Sequence, residues 1–267
     1  MKRASSRYTP PEIDHALQLS GSSILVSVVD REEDLKQLTV QPTLGIVSLG
    51  GGGTLNYLST FESLMNLHEE GSVDITSLRH PEAEGDASSV IFFTSGSTGK
   101  PKGVTHTYTT YGNCLASMIQ ALNITKEDVV MPASSCSHAA GFLYSLSSLA
   151  VGGKVVVAAN GTADVVLPLL RTARPTICFF LPSFLLMLTR DARTQREDFV
   201  SVRLMQSGGD KVASLLQKEF NQKSGLFISE IMGMSESAPI TVHGENEPEV
   251  KRGSIGRPAP GISISVR

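Results

Sequence analysis

Cysteine is scarce in this chain of 267 residues: Cys114, Cys136 and Cys178 are widely spaced and odd in number. They offer no disulfide framework, and no His/Cys cluster falls at zinc-ligand spacing. Such thiols fit reduced, mostly buried residues of an intracellular protein. An excess of one charge is also lacking. Lysine and arginine total 23 against 26 acidic residues, a net charge of −3, with the two signs intermixed. No basic footprint marks the chain for nucleic acid or an anionic membrane. No apolar run reaches the ~20 residues needed to cross a bilayer. The most apolar helix-length stretch, 139–151, is interrupted by Ser145, Ser147 and Ser148, which suits a buried helix. Met1-Lys2-Arg3 is followed by Ala-Ser-Ser-Arg-Tyr-Thr-Pro-Pro-Glu, without the apolar segment of a signal peptide. Internal repeats and long disordered tracts are missing too. These absences predict a soluble intracellular protein with no transmembrane segment and no nucleic-acid partner, its compartment (cytoplasm, peroxisome or mitochondrion) left open.

The length suffices for one large α/β domain or slightly more. Apolar runs rich in Val, Ile and Phe at 23–29, 45–49, 89–93, 128–131, 154–158, 176–181, 202–206 and 226–231 read as strands. Segments 11–19, 54–67, 108–122, 139–149, 163–172, 183–192 and 211–223 carry apolar residues at helical spacing. Strands alternating with helices predict an α/β fold, a mostly parallel sheet covered by helices. Residues 239–243 and 261–266 follow Gly/Pro punctuation and read as strands without an intervening helix. The expected division is therefore an α/β core over 1–238 and the start of a small β-rich subdomain over 239–267. Gly50 to Gly53 reads as a loop before a helix, because no lysine or spaced hydroxyl accompanies it.

Residues 94–104 read Thr-Ser-Gly-Ser-Thr-Gly-Lys-Pro-Lys-Gly-Val, directly after Val90-Ile91-Phe92-Phe93. The composition suits an anion. Gly96, Gly99 and Gly103 let backbone N–H groups come close, Thr94, Ser95, Ser97 and Thr98 add hydroxyls, and Lys100 and Lys102 add positive charge. It is not the phosphate loop of ATPases and GTPases: Thr94 stands at the early glycine position, and Pro101 follows Lys100 where a Mg²⁺-binding hydroxyl belongs. The plain alternative is a flexible Gly/Ser surface turn. The segment resembles the phosphate loop of the adenylate-forming (AMP-binding) superfamily, which includes acyl-CoA synthetases, 4-coumarate-CoA ligase-like enzymes, luciferases and peptide-synthetase adenylation domains.

Four later segments follow in that family's order. Ser137-His138-Ala139-Ala140-Gly141-Phe142 is similar to the stretch in which a histidine lines the carboxylate pocket, although a lone histidine before a helix also reads as a cap. Ser137 departs from the family's usual aromatic residue. Gln206-Ser207-Gly208-Gly209-Asp210 resembles the glycine-rich adenine-contacting turn, while Asp210 also reads as a helix N-cap. Ile231-Met232-Gly233-Met234-Ser235-Glu236-Ser237 is similar to the aromatic-Gly-Met-Thr-Glu motif, with Met232 where Tyr or Trp is usual. There a Ser235 hydroxyl suits the α-phosphate, and the Glu236 carboxylate is a hard oxygen ligand for Mg²⁺. Gly253-Ser254-Ile255-Gly256-Arg257-Pro258-Ala259-Pro260-Gly261 matches a structural turn of the family. The opening Arg7-Tyr8-Thr9-Pro10-Pro11-Glu12-Ile13 resembles a stretch well inside its large N-terminal domain.

The resemblance implies part of that large domain, with ATP and Mg²⁺ as cofactors and CoA as co-substrate. A small-molecule carboxylic acid would be activated as its acyl-adenylate by an AMP-forming acid–thiol ligase. It places His138, Ser235, Glu236 and Lys102 in catalysis, and Glu236 on the metal. Thr94, Ser95, Gly96, Ser97, Thr98, Gly99, Lys100, Lys102, Gly208, Gly209, Asp210, Met232, Gly233, Met234 and Ser235 would hold the nucleotide. The family pattern continues to a ribose-binding aspartate, a hinge arginine and a lysine-bearing C-terminal domain beyond Arg267. A chain cut at both ends is therefore expected, with impaired turnover. A non-catalytic nucleotide- or acyl-binding remnant and an inert fragment are the alternatives.

Overall fold

The computed structural model describes residues 2–3, 8–50, 53–69, 85–94, 101–243 and 254–265. The chain forms two compact units, Met1–Thr109 and Thr110–Arg267. In the first, β1 (Lys2–Arg3), α1 (Pro10–Ser20), β2 (Ile24–Val28), α2 (Glu32–Leu35), β3 (Gly45–Leu49), β4 (Ser59–Thr60), α3 (Phe61–Glu69), β5 (Ser88–Thr94) and β6 (Lys102–Thr107) build two three-stranded sheets. One is parallel, in the order β2-β3-β4. In the other, β5 lies between β1, parallel to it, and β6, antiparallel to it.

Helix α1 starts where Pro10 and Pro11 fit the first turn and the Thr9 N–H donates to Glu12 Oε2 at 2.8 Å. It stops at Gly21, whose φ of 56° is the left-handed cap. Its apolar side, Ile13 and Leu17, is buried with Leu35, Leu38 and Ile46. On another side, Asp14 accepts N–H bonds from Thr39 at 3.0 Å and Val40 at 2.9 Å.

The second unit runs α4 (Tyr108–Leu122), β7 (Val129–Pro132), α5 (Ala139–Ala150), β8 (Lys154–Val155), α6 (Ala163–Ala173), β9 (Ile177–Phe179), α7 (Pro182–Arg190), β10 (Leu204–Gly208), α8 (Ser214–Ser224), β11 (Ile228–Met234), β12 (Ser237–Val242) and β13 (Arg257–Pro258), its helix α4 beginning two residues before the division. One seven-stranded sheet has the order β13-β12-β11-β10-β9-β7-β8. It is parallel from β8 to β11, and β12 and β13 add on antiparallel. Met131, Cys178, Phe180 and Met205 point to one face, where Val166, Leu167 and Leu170 of α6, Leu185 and Leu188 of α7, and Leu216 and Phe220 of α8 close a buried core. Phe179 and Gln206, of opposite alternation, meet Tyr144 of α5. Helices thus cover both faces of a mostly parallel sheet, the expected α/β class.

Four local expectations change. Segment 54–58 is not helical, because Glu32 Oε1 accepts from Thr54 N at 2.7 Å and Leu55 N at 2.6 Å, and Leu58 N bonds to Ile46 O. Helix α3 therefore begins at Phe61. Residues 261–265 hold no strand; the chain turns at 260–261 instead. Strand β8 stops at Val155. Strand β6 was not anticipated, although Val104 and His106 alternate with Gly103 and Thr105, and His106 is buried edge-on to Phe92 at 6.1 Å.

Candidate functional site

Within the second unit, three of the sequence segments fall at one edge of the same sheet. His138 follows the carboxyl end of β7, Gly208–Asp210 close β10, and Met232–Glu236 close β11, and these strands stand in the order β11-β10-β9-β7. The connection after β7 passes through α5 to β8 on one side, and the chain then returns to β9 on the other side of β7. Helices α5 and α7 lie against opposite faces. Adjacent strands β7 and β9 therefore send their loops apart, which opens the crevice at the carboxyl ends where open α/β sheets bind ligands.

His138 takes the N-cap position of α5, with φ −93° and ψ 146°. Its carbonyl accepts from Phe142 N at 3.1 Å, but its imidazole makes no capping bond and is exposed. That carbonyl bond is the first intrahelical bond of α5, not a cap, and the ring is left to other uses. Gly141 is required by packing, since a Cβ there would meet Ser135 O at 2.5 Å. Ser137 N and Oγ both bond Ser135 Oγ, forming a polar turn ahead of the helix.

In the second segment, Gly208 pairs with Ile231 across the parallel ladder, and a Cβ would lie 2.5 Å from Ile231 O. Gly209 has φ +85°. Both glycines are dictated by the backbone, whatever they contact. Asp210 is not the cap of the following helix: α8 starts at Ser214 with Ala213 at the N-cap, and Asp210 Oδ1 instead accepts from Lys211 N at 2.7 Å. Residues 211–213 stay outside the helix, and Glu230 Oε2 of β11 accepts from Val212 N at 3.3 Å.

Strand β11 continues past the last residue of β10, so Met232 and Met234 emerge at the sheet edge, 38% and 51% exposed. Met234 pairs with Ser237, which leaves Ser235 and Glu236 as the two residues of the β11–β12 turn. Glu236 is exposed at its tip. Among the described residues no cluster of three or more His, Cys, Asp or Glu side chains could enclose a metal. A lone exposed carboxylate still suits Mg²⁺, which keeps several waters and needs only one or two carboxylates beside phosphate oxygens.

Sequence reading missed the buried chain that ties these segments together. The Tyr144 hydroxyl donates to Gln206 Oε1, and Gln206 Nε2 donates to His243 O at 3.0 Å. Burial pushes the Tyr144 phenol well above its ordinary pKa, so it stays a neutral donor. Helix α5, which follows His138, is thereby pinned to the strand that precedes Gly208. No local spacing signals such a contact, because its partners are 62 residues apart.

The opposite edge carries stability. Asp128, Thr176 and Arg203 precede β7, β9 and β10. Arg203 Nε and Nη2 donate to the two Asp128 oxygens at 2.9 Å each, and Thr176 Oγ1 donates at 2.6 Å. Burial alone would raise the Asp128 pKa. The hydrogen bonds from Arg203, Thr176 and the Thr125 N–H outweigh it and hold the carboxyl at about 2.

In the first unit, Thr94 and Lys102 are register partners at the mouth of the β5–β6 hairpin. Ser95, Gly96, Ser97, Thr98, Gly99 and Lys100 lie outside the described residues. Lys102 is exposed, and Pro101, just before it, is buried. Helix α1 lies against this hairpin: His15 Nε2 donates to Pro101 O at 2.9 Å. His15, Leu19, Ile91, Phe93, Lys102 and Gly103 help line a hollow of about 440 Å³ there.

The family model "AMP-binding enzyme" matches residues 4–267. The chain belongs to the AMP-binding enzyme family. It is 25% identical over 268 residues to 4-coumarate–CoA ligase 3 of Oryza sativa subsp. japonica, covering 95% of this chain and 46% of the relative. It is 30% identical over 187 residues to the medium-chain fatty-acid–CoA ligase of Escherichia coli K12, covering 68% of this chain and 32% of that protein. Its fold matches a crystal structure of the anthranilate CoA ligase AuaEII in complex with anthranoyl-AMP, with TM-score 0.84, 20% identity, 97% of this chain and 50% of the other. ATP-bound MatB from Rhodopseudomonas palustris matches with TM-score 0.81 at 22% identity, over 97% of this chain and 49% of that one. The chain spans about half the length of the AMP-binding relatives it matches, or less. No helix among its described residues is long and apolar enough to cross a membrane.

Proposed function

We propose that this chain is the Mg·ATP-binding core of an AMP-forming acid–thiol ligase that activates a small-molecule carboxylic acid as its acyl-adenylate, with CoA as acceptor. The observation that carries the reading is the placement of His138, Gly208–Asp210 and Met232–Glu236 along the carboxyl edge of one parallel sheet, with His138 at the β7/β9 switch point. In this reading Gly208, Gly209 and Asp210 meet the adenine, and Met232 packs on the base through its polarisable sulfur. Gly233 and Met234 border the nucleotide, the Ser235 hydroxyl donates to the α-phosphate, and His138 lines the carboxylate pocket. Glu236 would hold Mg²⁺, which neutralises phosphate charge when bound. The hairpin segment from Thr94 through Ser95, Gly96, Ser97, Thr98, Gly99 and Lys100 to Lys102 would grip the pyrophosphate. Residues 1–238 are the nucleotide-binding core and 239–267 lead into a β-rich subdomain. The chemistry these groups supply is alignment of the carboxylate with the α-phosphate and stabilisation of the charge that moves onto pyrophosphate.

Calorimetric titration with Mg·ATP tests this. The full chain should bind, and Lys102→Ala and Glu236→Ala should each weaken binding about ten-fold, as expected for loss of a charge-assisted contact. Unchanged affinity in both variants would remove the assignment.

A further inference from the structure

We infer that His15 is a positioning residue for Lys102, acting through the Pro101 carbonyl; this rests on the nucleotide-binding reading of the β5–β6 hairpin. A carbonyl oxygen can only accept, so the 2.9 Å contact fixes the imidazole as a donor through Nε2. The peptide whose oxygen it holds is the one whose nitrogen belongs to Lys102. Holding that plane sets the direction in which the Lys102 side chain leaves the strand.

The donor stands on a firm base. Helix α1 is fixed at its start by the Thr9–Glu12 contact, along its length by Ile13 and Leu17 in the core, and sideways by Asp14 on the Thr39 and Val40 amides. At the C-terminal part of α1 the Leu19 side chain reaches the hairpin, since a Cβ at Gly103 would lie 3.5 Å from Leu19 Cδ2. Pro101 has no N–H of its own, so its backbone contributes only the oxygen that His15 takes. On the far side of the hairpin mouth, Thr94 is the register partner of Lys102. The lysine is thus set from one side by strand pairing and from the other by His15.

The test compares the full-length wild-type chain with His15→Ala and His15→Gln, whose amide can donate to the same oxygen. His15→Ala should raise the Mg·ATP dissociation constant about five-fold, the effect of one neutral hydrogen bond, and His15→Gln should stay within about two-fold. Hydrogen exchange at 102–105 should speed up in His15→Ala alone, with α1 unchanged. Unaltered affinity and exchange in His15→Ala would overturn the inference, as would equal losses of affinity in both variants with unaltered hairpin exchange. A wild-type chain that fails to bind Mg·ATP sinks the functional reading instead. The exchange arm then decides the tether: faster exchange confined to His15→Ala upholds it, and no change overturns it.

Discussion

Replacing Gly208 by alanine separates the fold's demands from the ligand's. An added Cβ would sit 2.5 Å from Ile231 O and 2.8 Å from Ile231 Cγ2, and the oxygen belongs to the neighbouring strand's backbone. A flexible side chain could swing away, but this oxygen can retreat only if β10 and β11 part at their carboxyl ends. Overpacking of that kind costs about 3 kcal/mol, the upper end of its usual range. Gly209→Ala meets only the end of Leu181, at 3.3 Å, and its difficulty is the φ of +85°. A left-handed alanine costs roughly 1–2 kcal/mol, offset in part by about 0.5 kcal/mol from a stiffer unfolded chain. Thermal unfolding followed by circular dichroism should therefore place Gly208→Ala about 6–12 °C below wild type and Gly209→Ala within about 5 °C. A Gly208→Ala melting point within 2 °C of wild type, or equal to that of Gly209→Ala, would refute the argument.

Two further outcomes follow from the buried polar groups. Asp128 titrates at about 2 instead of its usual 3.8, so the stability it adds is fully present above roughly pH 4 and is lost as pH falls through 2. Urea titrations at pH 5, 4 and 3 should show the gap between wild type and Asp128→Asn, on the order of 2 kcal/mol, narrowing with acidity; a constant gap would contradict the assignment. Tyr144→Phe removes the hydroxyl that Gln206 Oε1 accepts from and leaves that oxygen buried, at a cost of about 1–3 kcal/mol read from denaturant midpoints. Stability equal to wild type would mean that the α5–β10 tie is idle.

Much of the fold was readable because its signals are local. Strands β2, β3 and β5 stand out as runs of branched and aromatic residues, and α1 carries its own start and stop in Pro10, Pro11 and Gly21. Long-range commitments were not readable. Segment 54–58 has helical spacing but is held out of a helix by Glu32, more than 20 residues away. The Tyr144–Gln206 and His15–Pro101 contacts bridge 62 and 86 residues. Asp210 has a side chain suited to capping, yet the non-helical 211–213 segment moves the helix start beyond its reach.

The structure also changes which residues count as evidence for function. Glycines first drew attention to the turn after β10, but Gly208 is forced by Ile231 O, Gly209 by its φ, and Gly141 by Ser135 O. A fold with no ligand would need them all, so they say little about chemistry. The opposite holds where the backbone makes no demand. Ser235 and Glu236 close their hairpin without a positive φ, beside an irregular register, so neither position calls for a special residue. Glu236 and His138 are exposed, and the His138 ring makes no helix-capping bond. Lys102 is exposed beside a buried proline whose carbonyl is already taken. The identities of Glu236, His138 and Lys102 are free of these backbone demands, and truncating them should cost little stability. A loss of nucleotide affinity in Glu236→Ala or Lys102→Ala can then be read as lost chemistry, whereas the same loss in Gly208→Ala would only report a disturbed sheet edge.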